Sequence, residues 1–188
     1  EEYQPTHARK KIAEYPHYFL GAIIVSKKEG ANYLVDGQQR LTSLTLLLIL
    51  LRNLQRERDD LVNVDELIVS EKFGEKSFNL DVDERAPCMA ALFEQEDFDP
   101  TDRSESVQNL YARYEDMKSA WPEELRGDAL PYFIDWLMEN VHLVEITAYS
   151  DDDAYTIFET MNDRGLSLSP TDMLKGYLLA NIAENKRV

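Results

Sequence analysis

Two short runs of polar residues carry the side chains able to do chemistry. The first is Asp36, Gly37, Gln38, Gln39 and Arg40, set between an apolar extended stretch and a leucine-rich one. Asp36 with Gln39 three positions on fits a capping box, and Gly37 eases the turn, so a helix start accounts for part of the run. It does not account for Arg40. That residue falls in the opening turns, where the helix dipole disfavours a cation, and it shares a face with Leu44, Leu47 and Leu51. A cation on a core-facing stripe needs an anionic partner, either an internal carboxylate or a bound ligand. Free helix amides, two side-chain amides and an inward Arg can hold phosphate oxygens, while Asp36 can bring in a hydrated Mg²⁺ or activate a water. The residues by themselves leave both readings open.

The second run is Asn162, Asp163, Arg164 and Gly165, followed by Asp172 and Lys175. Read locally, Gly165 suits a left-handed turn, Asn162 ends a helix, and Asp172 with Lys175 is an i,i+3 pair. Read functionally, the same corner aims Asn162 and Arg164 at a ligand, with Lys175 as a further positive group in a segment otherwise dominated by acids. Arg40 and Arg164 are then expected on opposite walls of one cleft. There is no glycine-rich phosphate loop of the common type, no nucleophile elbow and no paired-histidine motif. The lone Cys88 cannot form an internal disulfide, and His7, His17 and His142 lack a metal-ligand spacing.

The elements that must position these residues follow from hydrophobic period. Tyr18 to Ser26 is apolar and β-branched, Lys27 to Gly30 is turn-like, and Tyr33 to Val35 resumes an extended pattern, which predicts a β-hairpin. Leu41, Leu44, Leu47, Leu48, Leu51 and Leu54 then recur at helical spacing, with Leu46, Ile49 and Leu50 filling the other sides, so this helix must be central and buried. Short strands are predicted near Glu66 to Val69 and Phe78 to Leu80, with helices over Glu84 to Phe93, Ser104 to Ala120 and Tyr132 to Met138. Val141 to Ala148 alternates like a strand, and Ala154, Ile157, Phe158 and Met161 form a helical stripe. Ser169, Pro170 and Asp172 announce a final helix. The result is a mixed α/β (α+β) domain, a single unit spanning residues 1–188.

Charge narrows the partners. The chain has 36 acidic against 20 basic residues, a net of −16, which repels nucleic acid and anionic membranes on average. The imbalance is uneven: residues 1–58 hold 6 acids and 9 bases, and the remainder 30 and 11. An anion site therefore belongs in the first third or at isolated bases elsewhere. The run Glu94, Glu96, Asp97, Asp99, Asp102 and Glu105 reads as a solvated loop. The longest aliphatic run, Leu46 to Leu51, is far short of a membrane span, and the expected location is cytoplasmic.

At its two polar runs the sequence resembles a known family. Tyr18-Phe19-Leu20-Gly21, then Val35-Asp36-Gly37-Gln38-Gln39-Arg40-Leu41-Thr42 leading into a leucine-rich helix, is similar to the N-terminal domain of GmrSD-type, modification-dependent restriction enzymes. Ile157 to Leu166, with Leu168 to Leu178, is similar to that family's other characteristic block. The resemblance implies a ParB/sulfiredoxin-like core with helical insertions. It also implies nucleoside triphosphate binding or hydrolysis with Mg²⁺, in systems that recognise or cut modified phage DNA. By position, Asp36, Gln38, Gln39 and Arg40 become the catalytic residues, with Asp36 toward the metal. Gly37, Asn162, Arg164, Gly165, Asp172 and Lys175 become ligand-binding. The Gln-Arg pair with a nearby Tyr and Trp that usually opens the family is not found, and neither is a nuclease motif. The chain thus reads as a piece of a longer protein that meets DNA through its full length or a nuclease partner. A noncatalytic sensor of nucleotide or modified DNA, and a purely internal fastening role for the motifs, are the competing readings.

Overall fold

The structure, a computed structural model, describes residues 4, 6–28 and 30–162. After a 3₁₀ turn, Arg9–Glu14, come strands β1 (Tyr18–Lys28) and β2 (Ala31–Asp36) and helix α1 (Gln38–Leu54). A one-turn helix α2 (Asp65–Ile68) leads into β3 (Val69–Lys72) and β4 (Glu75–Phe78). Then follow α3 (Ala86–Glu94), α4 (Glu105–Ser119), α5 (Leu130–Asn140), β5 (Val141–Ala148) and α6 (Asp151–Asn162). The fold is α+β. One sheet has the order β2-β1-β5 and the other pairs β3 with β4. Among the described residues two compact units are present: one takes the chain up to Gly21 and from Gln38 to Leu143, the other residues 22–37 and 144–162.

The first unit is organised around α1. Its sequence lacks Gly and Pro and is dominated by leucine, so propensity and burial agree. Leu46, Leu48, Ile49, Leu50 and Leu51 are all buried, among Ile68, Leu92, Phe93, Leu110, Tyr114, Leu130 and Ile134. Each such side chain contributes roughly 1.5–3 kcal/mol of transfer free energy. Thr45, buried in the same helix, is satisfied by donating to the Leu41 carbonyl at 2.9 Å.

Polar clamps gather at the far end of α1. Arg52 donates from Nε to Asp65 Oδ1 at 2.9 Å and from Nη1 to the Phe93 carbonyl at 2.7 Å, and its guanidinium lies 3.8 Å over the Phe93 ring. Asn53 Nδ2 donates to the Leu92 carbonyl and to Tyr114 Oη. Gln55 is buried and clamps one residue from both sides, donating to the Val62 carbonyl and accepting from the Val62 amide. A second set of bonds holds the polar opening segment: Tyr132 Oη donates to the His7 carbonyl, Trp136 Nε1 to Pro16, and the fully buried Asn140 Nδ2 to Tyr15. Sequence period suggested only a short helix there.

The hairpin, α1, α3, α4, α5, β5 and α6 fall where hydrophobic period predicts them, within a few residues at their ends. The small sheet does not. Residues 65–68 are helical, and the two strands lie at Val69–Lys72 and Glu75–Phe78. Phe73 and Gly74 both take positive φ, 56° and 84°. They make a two-residue turn, and pairing must radiate from it, Lys72 opposite Glu75 and Val69 opposite Phe78. The Ser169 helix start lies outside the described residues.

Cys88 sits on α3 with none of its surface exposed, and burial pushes its thiol up to about 11. A thiol modifier at about pH 8 should therefore leave the native protein unlabelled and take one equivalent in denaturant. Rapid labelling of the native chain would show that α3 is not packed against the core.

Candidate functional site

The Asp36–Arg40 run lies where a strand becomes a helix. Asp36 closes β2, partly buried, and Gln38 opens α1. Gly37 between them has φ +95°, and a Cβ built on it would lie 2.5 Å from Ile23 Cγ2. Glycine is required twice over here, by the backbone angle and by the close approach of Ile23.

The polar side chains of the first turns of α1 diverge onto two surfaces of the first unit. Gln38 and Gln39 are exposed and, with Thr42 and Ser43, line a groove of about 850 Å³ whose other wall is α4. Arg40 lies with Leu44 and Leu47 along an apolar pocket of about 540 Å³ that also takes in Tyr18, Trp121, Phe133 and Trp136. Its guanidinium is laid against Gly21: a Cβ there would come within 3.1 Å of Cζ and Nη2, and Gly21 has φ +117°. The glycine of the Tyr18-Phe19-Leu20-Gly21 run thus opens the space that Arg40 occupies. The expected common face for Arg40, Leu44 and Leu47 is present, while Leu51, one turn on, belongs to the core.

Asn162 is the last residue of α6. Arg164, Gly165, Asp172 and Lys175 lie outside the described residues, and with them the expected pairing of Arg40 and Arg164 across one cleft.

Two features escaped sequence reasoning. Arg85, just ahead of α3, donates from Nε to Ser106 Oγ at 2.8 Å and from Nη1 to Thr42 Oγ1 at 3.4 Å, on the wall of the groove that Gln38 and Gln39 line. Its two partners come from separate stretches of chain, and the sequence signal was only that of a base among acids. His17 Nδ1 and His142 Nε2 approach to 2.7 Å, with ring planes 13° apart and centroids at 4.9 Å. That spacing is an edge-to-edge imidazole hydrogen bond. Among the described residues no group of three or more His, Cys, Asp or Glu side chains is arranged to hold a metal ion.

A strand-turn-helix presenting Asp-Gly-Gln-Gln-Arg, with the arginine seated on an upstream glycine, is the arrangement to set beside known proteins. The sequence profile described as GmrSD restriction endonuclease, N-terminal domain matches residues 7–179, and the chain belongs to this family. Membership sets it in the context of DNA restriction and phage defence. No curated protein matches the sequence. Among the described residues no helix is long and apolar enough to cross a membrane.

The two kinds of constraint on glycine can be separated by experiment. Gly74 has φ +84° and nothing within 4 Å of a built Cβ, so Gly74→Ala carries only backbone strain, about 1–2 kcal/mol. Gly37→Ala adds overpacking against Ile23, roughly a further 1–3 kcal/mol. Urea unfolding should rank Gly37→Ala clearly below Gly74→Ala in midpoint; equal midpoints would mean that Ile23 yields at no cost.

Proposed function

We propose that this domain binds and hydrolyses a nucleoside triphosphate with Mg²⁺ through the Asp36-Gly37-Gln38-Gln39-Arg40 run, as the nucleotide-dependent module of a modification-dependent restriction system. The observation that carries this reading is that Gln38 and Gln39 line one cavity and Arg40 a neighbouring one, although they open a helix whose middle is deeply buried. A helix start needs a cap, not two exposed amides and a guanidinium seated on a glycine. Side-chain amides and a fork-shaped cation suit phosphate oxygens. The ParB/sulfiredoxin-like core belongs to the same reading.

Asp36 is the single carboxylate of the run. That fits Mg²⁺, which is commonly held by one or two carboxylates together with substrate phosphates and retained waters, and it does not fit a closed all-protein metal cage. Bound there, Mg²⁺ would neutralise phosphate charge. Asn162, Arg164, Gly165, Asp172 and Lys175 enter the reading as further ligand-binding residues. DNA is met through the full-length protein or a nuclease partner, because a net charge of −16 opposes the polyanion.

A ligand held only by the native state adds about 2.7 kcal/mol at 100 times its dissociation constant. At roughly 2–4 °C per kcal/mol for a chain of this size, melting should rise by several degrees with at least one nucleoside triphosphate and Mg²⁺. The rise should be smaller in Arg40→Ala. No shift with any of the four triphosphates at millimolar concentration refutes the reading. Binding without phosphate release assigns the noncatalytic sensing role instead.

A further inference from the structure

We propose that the groove between α1 and α4 is a polyphosphate site and that Arg85 is its principal phosphate-gripping residue. This deepens the nucleotide reading, on which it rests for the nucleoside but not for the anion. Arg85 is partly buried, and its side chain is held by two neutral hydroxyls, Ser106 Oγ and Thr42 Oγ1. Among the described residues it makes no ion pair. Other fixed arginines of this unit do: Arg9 bonds both carboxylate oxygens of Asp135, Arg52 bonds Asp65, and Arg58 bonds Asp60. In a chain with 36 acidic residues carboxylates are abundant, so a fixed guanidinium without one is conspicuous. Withdrawing a cation from water is costly unless something negative or strongly accepting faces it.

A guanidinium has five N–H groups, and these two bonds use two of them. The rest form part of a fork that matches phosphate oxygens two at a time. The groove holds about 850 Å³, within the range of small-molecule sites. Gln38 and Gln39 bring amides to it from α1, and Asn109 and Arg113 bring an amide and a second cation from α4. Two carboxylates also line it: Asp116, 3.7 Å from Arg113, and the exposed Glu105. They shorten the positive stretch. That favours a compact polyphosphate over a nucleic-acid backbone, whose charges continue in both directions.

The test is a calorimetric titration of inorganic tripolyphosphate, without added metal, into wild type, Arg85→Ala, Arg85→Lys and Ser106→Ala. Arg103→Ala serves as the charge-matched control, since Arg103 lies over the Phe98 ring and does not line the groove. Thermal melting without ligand accompanies each variant. Arg85→Ala should weaken binding by about tenfold or more. Arg85→Lys should keep part of the affinity, and Arg103→Ala should stay within about twofold, the change expected of long-range charge alone. If Arg85→Ala does not fold, Ser106→Ala keeps the guanidinium but frees Nε, and a severalfold loss there carries the same conclusion.

Tripolyphosphate that fails to bind at millimolar concentration, or binds all variants alike, overturns the groove proposal; nucleoside triphosphate binding in the same experiment would then leave the nucleotide reading standing. Arg85-dependent tripolyphosphate binding with no nucleoside triphosphate bound sustains the groove and removes the nucleotide. An oligonucleotide that binds through Arg85 where tripolyphosphate does not makes the groove a strand-binding surface and overturns the proposal.

Discussion

Helix α1 is apolar on nearly every side, so its neighbours have to sheathe it, and the arrangement of the first unit follows from that demand. Leu46, Leu48, Ile49, Leu50 and Leu51 are all withdrawn from solvent, which obliges α2, α3, α4 and α5 to supply apolar surface around the helix. Burial of this kind is non-directional and fixes no register by itself. Register comes from the polar residues at the helix's far end, where Arg52, Asn53 and Gln55 bond named carbonyls in the segments that follow. A displaced neighbour would leave those donors buried and unmet, at roughly 1–3 kcal/mol each.

The same demand explains why the polar residues of α1 collect where they do. A helix sheathed along its length can present polar groups only at its ends, and the C-terminal end is occupied by the clamps just described. Only the first turns remain, and they hold Gln38, Gln39 and Arg40. Glycines do the rest. Gly37 lets the chain pass from β2 into the helix over Ile23, and Gly21 leaves room for the Arg40 guanidinium. An element built for stability thus opens with a polar turn whose entry and whose arginine are each accommodated by a glycine.

Hydrophobic period made most of the fold legible because its elements are long or strongly patterned. The leucines of α1, the alternation of Val141 to Ala148 and the stripe of Ala154 to Met161 each report their own structure without reference to anything distant. β3 and β4 are four residues each, largely exposed, and set by a turn in which a phenylalanine takes positive φ, so no local pattern announces them. The candidate site divides the same way. Asp36 to Arg40 is contiguous and was readable. Arg85 was not, because Thr42 and Ser106 lie 43 and 21 positions away. His17 and His142, 125 residues apart, look scattered until β1 and β5 are neighbours in one sheet.

Charge shows how far a sequence-level count can be taken. The first 58 residues carry an excess of bases, which invites the inference that an anion binds there. In the folded chain several of those bases are already engaged with carboxylates from nearby or later segments: Arg9 with Asp135, Arg52 with Asp65 and Arg58 with Asp60. The exposed members of such pairs contribute little to stability, typically under about 1 kcal/mol, but each pairing removes a positive centre from the field that a ligand would meet. Net charge by segment therefore overstates the attraction of the first third and understates that of any later base that keeps only neutral partners. Among the described residues Arg85 is such a base, and it stands in the acid-rich remainder of the chain, where counting residues gives no reason to look. What decides whether a cation can take an anion is its company in the fold, and that company is assembled by the packing around α1.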